Sequence, residues 1–284
     1  MDNFKNNKSY LLMLPAIFIG TFAMVSNGVA SGIWLQNLLI WLLGTVLGSI
    51  YLVRNKRKKL SKGNLLHTVV IVALLVLPFL FNGIEGVHRW LTFGPINIYI
   101  ASIILPLLII QLWILALNNR ESYAIGLIFI ILLILLFQPD AGQLTAFACA
   151  TAIILWKNIS NWMIKFLSFI LIAGFVIISW IFLDDLAPIP YVEDIIFLVA
   201  DLGNVWFVLG ILSLILLLSP FFFYGTKNII SLTLAIYFLM AMIVTLFGNF
   251  PMPIMGYGMA PIIGYFIAIS WLKKNKGKTG LESY

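Results

Sequence analysis

From Tyr10 to Leu272 the chain is a succession of apolar runs, most of them as long as the 20 or so residues a helix needs to cross a bilayer. Ten runs can be read, at approximately 10–30, 33–53, 65–82, 97–117, 123–137, 143–156, 162–182, 204–224, 229–249 and 257–272. They lack the two-residue alternation of a membrane β-barrel. Hydrophobic residues make up 62% of 284 and charged residues 10%, against roughly half and about a quarter in soluble domains. A water-soluble core could not hide that excess, so lipid is the solvent for most of the chain. Residues 1–284 are expected to form a single all-α domain, a polytopic transmembrane helical bundle of about ten spans. Disordered ends are expected at approximately 1–8 and 275–284.

The fifth and sixth runs are short, and "FQPDAGQL" between them leaves room only for a tight reversal. One long helix over 123–156 is the alternative. Pro139 and Gly142 argue for a break, because proline removes a backbone donor and clashes with the preceding turn.

Orientation follows from Lys and Arg, which accumulate in cytoplasmic loops. With both termini cytoplasmic, Lys5, Lys8, the run from Arg54 to Lys62, Arg120, Lys157, Lys165, Lys227 and the tail "KKNKGK" all fall inside. Of 17 basic residues only Arg89 falls outside. Acidic residues do the reverse: Glu85, Asp140, Asp184, Asp185, Glu193, Asp194 and Asp201 lie at or near the outer face. The net charge of +7 is therefore an orientation signal, and nothing in it points to nucleic acid. Cys149 is the single cysteine and His67 and His88 the two histidines, which excludes a disulfide framework and disfavours a histidine-based metal site.

Ionisable groups at membrane depth are costly and point to function, so the outer connections are the informative ones. In "GIEGVHRWLTFG", Arg89 and Trp90 read either as an interfacial anchor, with the arginine snorkelling to phosphates, or as an anion clamp, since a guanidinium matches phosphate oxygens with a fork of donors. In "QPDAGQ", Asp140 sits where aspartate bonds its own backbone. Glu193 and Asp194 precede "IIFLV", which is expected to dip back toward the membrane. Adjacent carboxylates beside an apolar surface are each pushed toward the protonated form, which is how a carboxylate becomes a base near neutral pH; a solvated acidic loop is the other reading. "NFPMPIMGYG" around Tyr257 indicates a tight re-entry.

Taken in order, these stretches resemble the SEDS family, the polytopic RodA/FtsW-type proteins. "GVHRWLTFG" is similar to the family's G-x-R-R-W-x-x-x-G, "QPDAGQ" to Q-P-D-x-G-T, "EDIIFLVADLG" to T-D-F-I-F-A-V-I-G-E-E-L-G, and "MPIMGYG" to L-P-F-x-S-Y-G-G. The chain departs from the pattern too: Val192-Glu193 replaces His-Thr, "PINIYIASI" lacks the Glu and Lys of Q-P-S-E-x-x-K, His88 replaces the first Arg of the pair, and Y-G-G-S-S has become "YGMAP".

The resemblance implies a peptidoglycan glycosyltransferase that polymerises lipid II, the undecaprenyl-diphosphate-linked disaccharide, at the outer face of the bacterial cytoplasmic membrane. It implies Asp194 as catalytic base. Arg89, Trp90, Gln138, Asp140, Glu193 and Tyr257 would bind substrate. It also implies a divalent cation, Mg or Mn, with no organic cofactor, and a class B penicillin-binding protein as partner. A non-catalytic SEDS-like scaffold that binds the lipid carrier, and a flippase for lipid-linked sugars, stay open beside it.

Overall fold

The computed structural model describes residues 8–54, 63–94, 96–223 and 228–275. Lys5, residues 55–62 of the basic run, Lys227 and the last three residues of "KKNKGK" lie outside them, as do the expected disordered ends apart from Lys8 and Asn275. Lys8 begins a candidate membrane-spanning segment, and Asn275 caps the last helix.

Eleven α-helices follow one another among the described residues: α1 (Leu14–Ser26), α2 (Ser31–Arg54), α3 (Leu65–Leu74), α4 (Ile100–Leu117), α5 (Glu121–Phe137), α6 (Ala141–Asn158), α7 (Trp162–Ile181), α8 (Ile195–Asp201), α9 (Asn204–Phe223), α10 (Ile229–Ile243) and α11 (Met259–Lys274). Among the described residues six segments are long and apolar enough to cross a membrane: Lys8–Ser26, Ser31–Val53, Ile100–Leu117, Trp162–Ile181, Asn204–Phe222 and Ile229–Leu246. The other four expected spans are helical over α3, α5, α6 and α11, which are shorter or more polar. The chain is thus a helical membrane protein in which six spans are supported by length and apolarity among the described residues.

Helix boundaries follow local chemistry. Asn64 and Asn161 start α3 and α7 by accepting backbone N–H bonds, from Leu66 (3.0 Å) and Met163 (2.9 Å), which satisfies donors a helix leaves free at its first turn. The expected break at Pro139 is present: α5 ends at Phe137 and α6 begins at Ala141. Two expected boundaries are corrected. The run 65–82 is helical only to Leu74 and then tightens into a 3₁₀ turn, Leu77–Leu80, around Pro78, whose nitrogen cannot donate. Residues 97–99, read as the start of a span, form a strand. β1 (Trp90–Phe93) and β2 (Ile96–Tyr99) pair antiparallel, Trp90 opposite Tyr99 and Phe93 opposite Ile96, so the all-α bundle carries one small hairpin.

Burial separates interior from periphery. Two-thirds (67%) of the Ile100–Leu117 window and 61% of the Ile229–Leu246 window are buried, against 17% for Trp162–Ile181 and 11% for Ser31–Val53. Yet Trp162–Ile181 has a mean hydropathy of 2.3. Apolar helices left this bare are stable only against lipid. The interior is filled by large side chains, among them Trp113, Phe147, Tyr237 and Tyr265, all at most 1% exposed.

Candidate functional site

The four stretches singled out in the sequence meet at one end of the bundle. Ile84 and Val87 exchange backbone hydrogen bonds across Glu85-Gly86, both at positive φ (50° and 82°). That is the mirror-image turn for which glycine is favoured. Beyond it the chain alternates as a strand does: Val87, Arg89 and Leu91 are buried, His88 and Trp90 only partly.

Arg89 is therefore turned inward, 2% exposed, and the interfacial-anchor reading does not hold. Its Nη2 donates to the Pro139 carbonyl and to Asp184 Oδ2, the single ion pair among the described residues. The guanidinium lies 5.4 Å from the Phe250 ring centroid and 5.9 Å from that of Trp90. Gly142 makes this possible, because a side chain there would collide with the Phe250 ring. Burial disfavours the charge, but Asp140 and Asp184 outweigh it and hold Arg89 above its ordinary value. Its Nε is buried without a hydrogen-bond partner.

Asp140, completely buried, caps α6 by accepting from Gln143 N (3.1 Å) and accepts the Tyr99 hydroxyl on its other oxygen (2.6 Å). Gln143 in turn donates to Ser102 Oγ (3.1 Å) and accepts from Tyr237 (2.6 Å). Gln138 donates to the Leu75 carbonyl (2.5 Å). Asp140 and Gln138 thus lock α3, α4, α6 and the hairpin together. They stand behind the site rather than in it.

The cleft itself, roughly 230 Å³, is lined by Arg89, Trp90 and Tyr99 from the hairpin, Glu193 from the loop before α8, and Asn249 and Tyr257 from the loop before α11. The last two loops are stitched by backbone bonds: Met252 N to Val192 O (3.1 Å) and Tyr257 N to Tyr191 O (2.9 Å). Tyr257 reaches across to Gln36 on α2 (3.0 Å), and Asn37 holds the Gly256 carbonyl (2.9 Å).

Glu193 Oε2 accepts from Ile189 N (2.7 Å). Burial, helped slightly by neighbouring Asp194, pushes its carboxyl from 4.5 up to about 7. Asp194 stands at the N-cap of α8, where its carbonyl accepts from Phe197 and Leu198 and its side chain makes no cap bond; it is not among the cleft-lining residues. As expected, "IIFLV" folds inward, burying Ile195, Ile196 and Val199. Asn97 of β2 also lines the cleft, and neither it nor Tyr99, Asn249 or Asp184 carries a sequence signal that marks it as part of a site.

No group of three or more His, Cys, Asp or Glu among the described residues could hold a metal ion. Both Asp140 oxygens are taken by Gln143 N and the Tyr99 hydroxyl, and although Gln138 Oε1 is buried without a hydrogen-bond partner, no second free oxygen stands with it. Among the described residues the donor set does not fit a protein-held divalent cation.

A protein of Halothiobacillus neapolitanus named "Probable peptidoglycan glycosyltransferase FtsW" is similar to part of this chain. The two are 28% identical over 109 residues, 34% of this chain and 26% of that protein. The match spans about a quarter of the relative's length. It supports a RodA/FtsW-type relationship and nothing finer. No protein-family model matches the chain.

Proposed function

We propose that the chain is a bacterial cell-wall glycosyltransferase of the SEDS type, acting on lipid II at the outer face of the cytoplasmic membrane. The observation that carries this reading is the meeting of the hairpin, the 186–193 loop and the 249–258 loop around one cleft holding a carboxyl poised near 7. A base works best when its pKa lies near the operating pH.

In the reaction, the 4-hydroxyl of one lipid-linked sugar attacks C1 of another. The new C1–O bond forms as the bond to the diphosphate oxygen breaks, and undecaprenyl diphosphate leaves with the electron pair. The hydroxyl proton passes to the base. The family's motif assigns that base to Asp194, whereas the lining of the cleft favours Glu193. Arg89, with Trp90 beside it, supplies positive charge at the cleft floor for the diphosphate, and Tyr257 offers an aromatic wall. Asp140 and Gln138 act by positioning Tyr99 and the surrounding helices. A class B penicillin-binding protein as partner rests on the resemblance alone.

One observation favours a second reading. Arg89 already shares its charge with Asp184, so a diphosphate must compete for it, as suits a scaffold that binds the lipid carrier without turning it over.

The test is a polymerisation assay with purified protein and lipid II, with and without the partner. Glycan chains are expected. Lipid II binding without polymer under either condition would replace the enzyme with the scaffold. Orientation is checked in intact cells: a cysteine at Glu85 should label from outside and one at Arg120 should not.

A further inference from the structure

A second cavity lies far from the cleft, along the bundle toward the basic end. It is an open groove of about 510 Å³ between α2 and α11, floored by Leu107 of α4. Its walls are two stripes at helical spacing, Leu43, Leu47 and Tyr51 on one side and Ile263, Ile267 and Trp271 on the other. Gly44 and Gly48, one turn apart on α2, also line it. A partner helix does not use these glycines, because the space beside them is taken by this chain: a side chain on Gly44 would meet the Phe266 ring, and one on Gly48 the Tyr10 hydroxyl. The one polar side chain of the lining besides Tyr51 and Trp271, Ser270, is occupied by Tyr10 (2.7 Å).

Length and charge identify the occupant. From Ile40 to Tyr51 the groove runs about 16 Å at the helical rise, close to half of a hydrocarbon layer some 30 Å thick. It is the depth of one leaflet. Beyond its Tyr51 end, outside the lining itself, stand two ammonium groups. Lys274 Nζ lies 3.9 Å from the Tyr51 ring centroid, and Lys273 Nζ lies 4.3 Å from that of Tyr10. Lys273 Nζ is buried with no hydrogen-bond acceptor, and neither lysine has a carboxylate partner among the described residues. A buried charge without an acceptor is costly, and an anion at the headgroup level would remove that cost.

We propose that the groove holds one acyl chain of an anionic phospholipid of the leaflet at the basic end, with the headgroup phosphate on Lys273 and Lys274. The apolar stripes take the tail and the lysines select the head. The site is independent of any glycosyl transfer at the other end of the bundle.

Photo-crosslinking tests it. The full chain is reconstituted in phosphatidylcholine vesicles containing a small fraction of phosphatidylglycerol or phosphatidylcholine with the same photoactivatable acyl chain. Crosslinks are located by mass spectrometry. The phosphatidylglycerol probe is expected to label the Leu43–Tyr51 and Ile263–Trp271 segments at least several-fold more than the phosphatidylcholine probe. Lys273→Gln with Lys274→Gln should erase that preference, at about fivefold per lysine, while leaving residual labelling by both probes. Leu47→Trp, at a lipid-exposed position, should fill the groove and reduce labelling by both probes with unfolding unchanged. Equal labelling by the two probes, or labelling no stronger than on the bare face of α7, would reduce the groove to ordinary lipid contact and overturn the proposal. Loss of labelling by both probes as the protein-to-lipid ratio is raised, with a dimer forming in parallel, would overturn it in favour of a dimer surface.

Discussion

At the end of the bundle where the hairpin meets the 186–193 and 249–258 loops, charge is sealed inside. Arg89 is 2% exposed, its partner Asp184 only 7%, and Asp140 fully buried. At the opposite end Arg120 and Lys157 face the surroundings, and Lys165 stands 4.8 Å from the Trp156 ring centroid with no carboxylate partner among the described residues. Both ends belong to the same apolar chain, yet they use charge differently. Solvated cations such as Arg120 and Lys157 fix a direction in the membrane at little cost, Lys273 with its buried Nζ being the exception at that end. The buried pair at the other end must be matched group for group, because desolvation is recovered only by hydrogen bonds and a counter-charge. Charge that orients is cheap and replaceable, whereas charge that builds a site is neither.

Substitution at each end should separate the two by magnitude. Arg89→Met leaves Asp184 buried without its cation and is expected to cost about 3–5 kcal/mol of unfolding free energy, read by denaturant or thermal unfolding in one detergent. Arg89→Met with Asp184→Leu should restore most of that, since the burden lies in the orphaned charge. Next comes Tyr237→Phe, which strands the Gln143 oxygen inside the bundle and should cost about 1–3 kcal/mol. At the basic end Lys165→Met should change stability by no more than about 1 kcal/mol, the scale of an exposed cation–ring contact. If Lys165→Met is as damaging as Arg89→Met, the contrast between the ends disappears.

Much of this arrangement could be read from the residues. Apolar runs of bilayer length gave the helices, and Pro139 with Gly142 gave the break between α5 and α6. A lone arginine among the outer acids marked the place where charge is special. What it pairs with was not legible, because Asp184 has Asp185 beside it and five other acids on the same side. The hairpin was hidden for a different reason. "INIY" continues directly into the apolar "IASIIL", and a short apolar stretch cannot be assigned to strand or helix by periodicity alone. The two residues Gly94-Pro95 between "WLTF" and "INIY" were the available turn signal. Missing the hairpin concealed Tyr99, and with it the second partner of Asp140, whose bond to its own backbone the turn residues had indicated. Which of the consecutive Glu193 and Asp194 lines the cleft depends on how the loop is held, and backbone bonds tie Val192 to Met252 and Tyr191 to Tyr257.

The most direct test of the cleft as a catalytic site is the pH dependence of lipid II polymerisation by the wild-type protein, Glu193→Gln and Asp194→Asn. A base must be deprotonated to act, so with Glu193 raised to about 7 the wild-type rate should climb with pH and level off above about 7. Glu193→Gln should lose the climb and about 10²–10⁴-fold in rate, while Asp194→Asn keeps the wild-type profile. A Glu193→Gln protein with wild-type rate and profile, beside an inactive Asp194→Asn, would contradict the account and return the base to Asp194.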